Sequence, residues 1–160
     1  MNSHNRNIKA GGKIIAINIS EKKGMKKKDV GRAYAKENYG IENDAHSGHW
    51  HRQISLLAME SIDKMKQKGL DVGPGSFAEN ITTEGIDLIS LRIGTTLQMG
   101  KEALIEITQL GKVCHDRCAI YYQAGDCVMP KEGIFAKVLK AGWIEKEDEI
   151  KAVKLEKGPK

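Results

Sequence analysis

The chain alternates short apolar runs with turn signals, and most of those runs have the length and composition of strands. Residues 13–19, KIIAINI, are β-branched and bounded by Gly-Gly before and a lysine-rich stretch after, which predicts a strand and then a loop. Residues 29–38 alternate weakly at Val30, Ala33 and Ala35 and predict strand or irregular structure. Residues 52–57 begin as an extended apolar segment. Residues 77–83 predict a strand with 86–91 as its prospective partner, and 95–99 and 103–109 predict two more around a tight turn at Gly100 and Lys101. Residues 133–139 and 147–153 predict the last two. Helical periodicity is clear only in 58–68: Met59, Ile62 and Met65 share one face, charged residues cover the rest, and Gly69 stands where a C-cap glycine belongs. A further short helix is expected through 116–123. Together these predict a mostly β fold, a compact β-barrel with one or two short helices, in preference to a βαβ sheet.

Composition narrows the class. At 160 residues the chain suits one domain, expected over 13–153 between a flexible tail at 1–12 and a polar tail at 154–160. Aromatic residues make up only 5%, so the core must be largely aliphatic. No window approaches the roughly 18 consecutive apolar residues of a membrane span. The first residues also lack the apolar run of a signal peptide, so a cytoplasmic protein with no membrane partner is expected. The net charge of +5 owes much to Lys22, Lys23, Lys26, Lys27 and Lys28. Such a run suits a polyanion or a solvated loop. No aromatic residues are interleaved to stack on bases and no DNA-binding motif is present, which argues against a nucleic-acid partner.

All three cysteines, Cys114, Cys118 and Cys127, lie in residues 108–130. That is too few for a disulfide framework, and an odd number. Lys112, His115 and Arg117 flank Cys114 and favour its thiolate, the form that acts as nucleophile and metal ligand. The competing reading is three small buried hydrophobes. Upstream, residues 40–53 concentrate polar chemistry. Asp44, His46 and Arg52 combine a carboxylate, an imidazole and a bidentate anion donor, suited either to a pocket for an anionic ligand or to a hydrogen-bonded loop clamp. His46, His49 and His51 match no standard zinc spacing, and their joint action would need Gly48 to bend the chain. Residues 73–80, GPGSFAEN, lack a P-loop pattern, leaving Glu79 and Asn80 as groups that would point into a site from the start of a strand.

Four motifs in series, D-x-H-x-G at 44–48, R-Q-I-x-L at 52–56, P-G-x-F-x-E-N at 74–80 and G-K-x-C at 111–114, resemble the MOSC domain, named from the C-terminal part of molybdenum cofactor sulfurases. The segments GKVCHDRC at 111–118 and GDCVMPKEG at 125–133 are similar to small stand-alone bacterial forms. The resemblance implies a compact barrel of the MOSC or PK-barrel kind, with the family's cysteine at Cys114. It further implies sulfur transfer or carriage in molybdenum cofactor metabolism, with Cys114, His115 and Lys112 as the reactive group and Asp44, His46, Arg52, Glu79 and Asn80 around an anionic pterin-type ligand. Implied partners are a cysteine desulfurase or other sulfur donor, since no pyridoxal-phosphate domain is present, together with molybdenum cofactor enzymes or biosynthesis proteins. The alternatives it leaves are a molybdopterin-binding reductase with Cys114 as molybdenum ligand, or a non-catalytic binding module with inert cysteines. Where many members carry P-R-x-P-C, this chain has Leu110-Gly111-Lys112-Val113-Cys114, so an anion contact there would fall to Lys112.

Overall fold

The computed structural model describes residues 10–111 and 132–154. Eleven strands are assigned among them: β1 (Gly11–Ile19), β2 (Lys28–Asp29), β3 (Arg32–Lys36), β4 (Gly40–Ile41), β5 (Ile54–Ala58), β6 (Ile81–Glu84), β7 (Thr96–Met99), β8 (Ala103–Leu110), β9 (Ile134–Lys140), β10 (Gly142–Glu145) and β11 (Glu149–Lys154). One α-helix, α1 (Met59–Gln67), and one 3-10 turn, Leu88–Ser90, accompany them. Seven strands close into a barrel in the order β11-β7-β8-β9-β5-β6-β1, and β1 pairs back onto β11. The mostly β barrel with a short helix is therefore as the pattern predicts. Cys114, Lys112 and His115, and the helix expected at 116–123, lie outside the described residues.

The core divides according to which face each strand buries. Ile14, Ile17, Ile54, Leu56, Ile81, Leu97, Met99, Ile105, Ile107, Ile134 and Ile150 belong to an aliphatic cluster fed by all seven barrel strands. Leu57, Ile62, Met65, Val72, Phe77 and Phe135 form a second cluster, where α1 packs on β5 and β9. β5 feeds both, so its burial is continuous from Ile54 to Leu57, Ser55 included, and does not alternate. α1 ends as its sequence predicts. Gly69 (φ +92°) donates to the Lys66 carbonyl at 2.9 Å and Leu70 to the Met65 carbonyl at 3.3 Å, the paired bonds of a Schellman stop.

Two expectations need correction, and the structure adds a parallel pair and a strand that the pattern does not predict. β5 and β6 run parallel, joined through α1, so one βαβ unit is built into the otherwise antiparallel barrel. Residues 86–91 form no partner for β6, because β1 and β5 already occupy both its edges. They turn instead, burying Ile86, Leu88 and Leu91 and exposing Ile89. The strand expected from residue 77 begins only at Ile81, since the Glu79 carboxylate takes the Gly75 and Phe77 N–H groups and curls the chain. β10 was not visible as a strand; it pairs with β3 in a small outer sheet, where Trp143 meets Tyr34 edge-on at 5.3 Å.

The turn at Gly75 fastens the lysine loop to the barrel. Gly75 adopts φ +86°, its carbonyl accepts from Lys27 N–H at 2.9 Å, and a β-carbon there would overlap the Lys27 carbonyl oxygen. A Gly75→Ala variant should lose about 2 kcal/mol or more through left-handed strain and that overlap, read as a lowered urea midpoint with unchanged m-value. An unchanged midpoint would mean the turn is not under this constraint.

Candidate functional site

Five segments converge beside the point where the chain enters and leaves the cysteine-bearing stretch. The first contact is a buried ion pair that the sequence concealed inside a run of solvated lysines. Lys27 Nζ lies 2.7 Å from Asp44 Oδ1, both side chains are fully buried, and Ser20 Oγ also accepts from Lys27 Nζ at 2.9 Å. Asp44 has no oxygen to spare. Oδ1 accepts from Ser20 N–H and Oδ2 from His46 N–H, so its carboxylate clamps the loop and holds His46 in place.

From there the loop 40–53 turns outward. Trp50 donates its indole N–H to the His46 carbonyl at 2.8 Å, and the two rings lie parallel with centroids 6.5 Å apart. His51 packs edge-on against Trp50 on its other sequence side at 5.9 Å, so the chain does bend near Gly48 (φ +152°). Tyr39 receives His49. His46 and His51 thus share Trp50 as a neighbour while His49 faces elsewhere. Among the described residues, no three His, Cys, Asp or Glu side chains cluster as a metal site.

Arg52 makes the longest reach. β9 separates β5 from β8, and the Arg52 guanidinium spans it, lying 5.2 Å from the Phe135 ring on β9 while Nε donates to Gln109 Oε1 on β8 at 3.0 Å. His51 Nε2 meets the same oxygen at 2.8 Å and must carry the proton, because that oxygen only accepts. Gln109 in turn donates Nε2–H to the Gly111 carbonyl at 2.7 Å. The histidine loop is thereby tied to the residue that precedes Lys112. Gly111 N–H donates to the Gly133 carbonyl at 2.6 Å, which holds the two ends of the cysteine stretch together. At the returning end, Glu132 accepts from Ser61 Oγ at 2.5 Å and from Lys64 Nζ at 2.9 Å, both on α1.

Glu79 and Asn80 belong to an interior network. Glu79 accepts from Gly75 N–H, Phe77 N–H and the Thr82 hydroxyl. Asn80 accepts from Ser55 N–H and donates to the Asn18 carbonyl. Burial pushes the Glu79 carboxyl above its ordinary value, against the pull of those three donors. Of the expected ligand contacts, therefore, the donor set of Arg52, with His51 beside it, has the chemistry to meet an anionic oxygen. The polar groups of Asp44, Glu79 and Asn80 are spent on the protein itself. Gln109, Lys27, Ser61 and Glu132 went unnoticed in the sequence; the one signal for Gln109 is a polar residue ending the 103, 105, 107 alternation, which a β-bulge re-aims.

The chain belongs to the MOSC domain family, whose sequence pattern matches residues 43–151. This family is related to the C-terminal domain of molybdenum cofactor sulfurases. Its fold is similar to the YUAD protein from Bacillus subtilis, with a TM-score of 0.74 at 19% identity over 89% of this chain and 95% of that one. It is also similar to YiiM from Geobacillus stearothermophilus (TM-score 0.64, 20% identity, 88% of this chain and 74% of that one). YiiM from Escherichia coli gives 0.63 at 16% identity, covering 91% and 72%. No curated protein sequence matches the chain.

Removing one member of the buried pair strands the other. Lys27→Met should cost about 3–5 kcal/mol in urea unfolding; a loss below about 1 kcal/mol would place the pair in effective contact with water. Glu79 offers a pH test. Its folded value is raised, so its contribution is complete below the unfolded carboxyl value and declines as pH rises through the folded one. Between about pH 4 and pH 7, wild-type stability should therefore fall relative to Glu79→Gln. A relative rise over that window would reverse the assignment.

Proposed function

We propose that the protein is a sulfur-carrier or sulfur-transfer module of molybdenum cofactor metabolism, with Cys114 as the sulfur-bearing thiolate and Arg52 as the anion-holding group. The observation that carries this reading is the Arg52–Gln109–Gly111 tie, which fixes a cationic side chain against the residue where the cysteine stretch begins. Cys114 follows Gly111 by three residues, so covalent geometry keeps their α-carbons within about 11 Å. Lys112 and His115 would add the positive charge that favours a thiolate.

In the step envisaged, the Cys114 thiolate attacks the outer sulfur of a donor persulfide. A new S–S bond forms to Cys114, the donor's S–S bond breaks, and the donor leaves as its thiolate, with no net oxidant or reductant consumed. The persulfide then yields its outer sulfur to an acceptor thiolate by the reverse exchange, regenerating Cys114. Arg52 would hold an anionic group of the acceptor through the terminal N–H groups that Gln109 leaves open, and His51 would flank it. A molybdopterin-type cofactor would meet this donor set through its phosphate, and sulfuration of its metal would need a dithiol reductant to release the persulfide's outer sulfur at the sulfide level. Asp44 and His46 contribute by holding the loop that carries Arg52.

Treatment of the reduced protein with a persulfide donor should add one sulfur atom to the intact mass, and peptide mapping should assign it to Cys114. Cys114→Ser should abolish the gain, and Arg52→Ala should leave loading intact while weakening transfer to the acceptor. Full loading of Cys114→Ser would overturn the role. Molybdenum near one atom per chain in protein from a molybdenum-replete host, with no persulfide formed, would instead favour a cofactor-bearing reductase with Cys114 as ligand.

A further inference from the structure

The strongest feature left without a role is the lysine loop between β1 and β2. Residues 20–28 hold five lysines against one acid, Glu21, and Lys22, Lys23, Lys26 and Lys28 are exposed. Sequence alone makes this a solvated run; its attachment is what singles it out. The buried Lys27–Asp44 pair fixes its base, Ser20 Oγ ties to the Lys22 carbonyl at 3.0 Å, the Ser20 carbonyl accepts from Ala45 N–H at 2.9 Å, and Gly75 receives Lys27 N–H. The loop is thereby folded onto the histidine loop, with Lys23 Nζ 4.9 Å from the Trp50 ring centroid and Arg52 on the ring at 5.9 Å. Two charge sources distant in sequence become one positive face beside the start of the cysteine stretch.

We propose that this face, the 20–28 loop together with Trp50 and Arg52, is the docking surface for an acidic patch on a partner protein. Charge complementarity argues for an acidic occupant, and such a field speeds encounter and sets orientation. Trp50 decides between protein and nucleic acid. It is 36% exposed, but Lys23, Arg52 and His46 already lie against its ring, leaving little of it as a platform for an unpaired base. Met25, 48% exposed, is the single apolar side chain within residues 20–28, too little to anchor the loop in a bilayer. The partner's task, exchanging sulfur with this chain, rests on the function proposed above; the docking itself does not involve Cys114.

Trp50 also supplies the measurement. The chain has two tryptophans, and Trp143→Phe leaves Trp50 as the sole one, set within the proposed face. In that background a poly-L-glutamate peptide should change Trp50 fluorescence saturably, with affinity falling as salt rises. Reversing Lys22, Lys23 and Lys26 to Glu should weaken binding at least about tenfold, whereas reversing the exposed Lys66, Lys101 and Lys140 should leave it within about twofold. Cys114→Ser should bind as the parent does, so failure of the sulfur chemistry and failure of docking separate. Absent binding, equal losses in the two triple variants, or tighter binding to single-stranded oligothymidylate or phosphatidylserine vesicles would each overturn the proposal.

Discussion

A lysine and an aspartate facing each other without water are the constraint around which this end of the molecule is arranged. Stripping both charges of solvent costs several kcal/mol, and their attraction offsets it only with close geometry and the remaining lone pairs satisfied. Lys27 and Asp44 meet both conditions, through Ser20 and the His46 backbone. The consequence is geometric. Because neither charge tolerates separation, the β1–β2 loop, the 40–53 loop and the Gly75 turn are held in one arrangement, and Trp50, His51 and Arg52 inherit their positions from it.

The barrel supplies the second half of that arrangement. β5 is buried on both faces, with Ile54 and Leu56 in the barrel cluster and Leu57 under α1. Phe135 on β9 likewise faces α1, and it is this ring that Arg52 crosses on its way to Gln109. Aliphatic side chains fill the barrel cluster, while both phenylalanines serve the helix side. Of the two, Phe135 lies where the helix, the arginine and the two ends of the cysteine stretch adjoin. Fold and candidate site share a wall.

How much of this was legible depends on whether the signal was local. β1, β7, β8, β9 and β11 show in short apolar runs, and α1 in its three-residue spacing with a terminal glycine, because each buries a face set by its own period. β10 did not show: Gly142–Glu145 offers only Ile144 as a buried large side chain and becomes a strand by pairing with β3. Residues 86–91 looked like a strand and are not one, since pairing depends on a free edge elsewhere. In the site, Arg52 and the histidine-rich loop are neighbours in sequence, and the fold keeps His46, Trp50, His51 and Arg52 close together. The inward turn of Asp44, Glu79 and Asn80 was invisible, because a buried carboxylate and an exposed one carry the same letter.

What the residues alone determined was the class of fold, the motif series that makes the chain a MOSC domain, and the aliphatic character of the core. These follow from local periodicity and composition. Only the tertiary structure decided that one of five lysines is buried, that a glutamine on β8 receives the arginine before β5, and that a basic run and an aromatic loop form one surface. Each of those depends on which groups lose water together. Desolvation is a property of packed neighbours, and neighbours distant in sequence are chosen by the closed barrel.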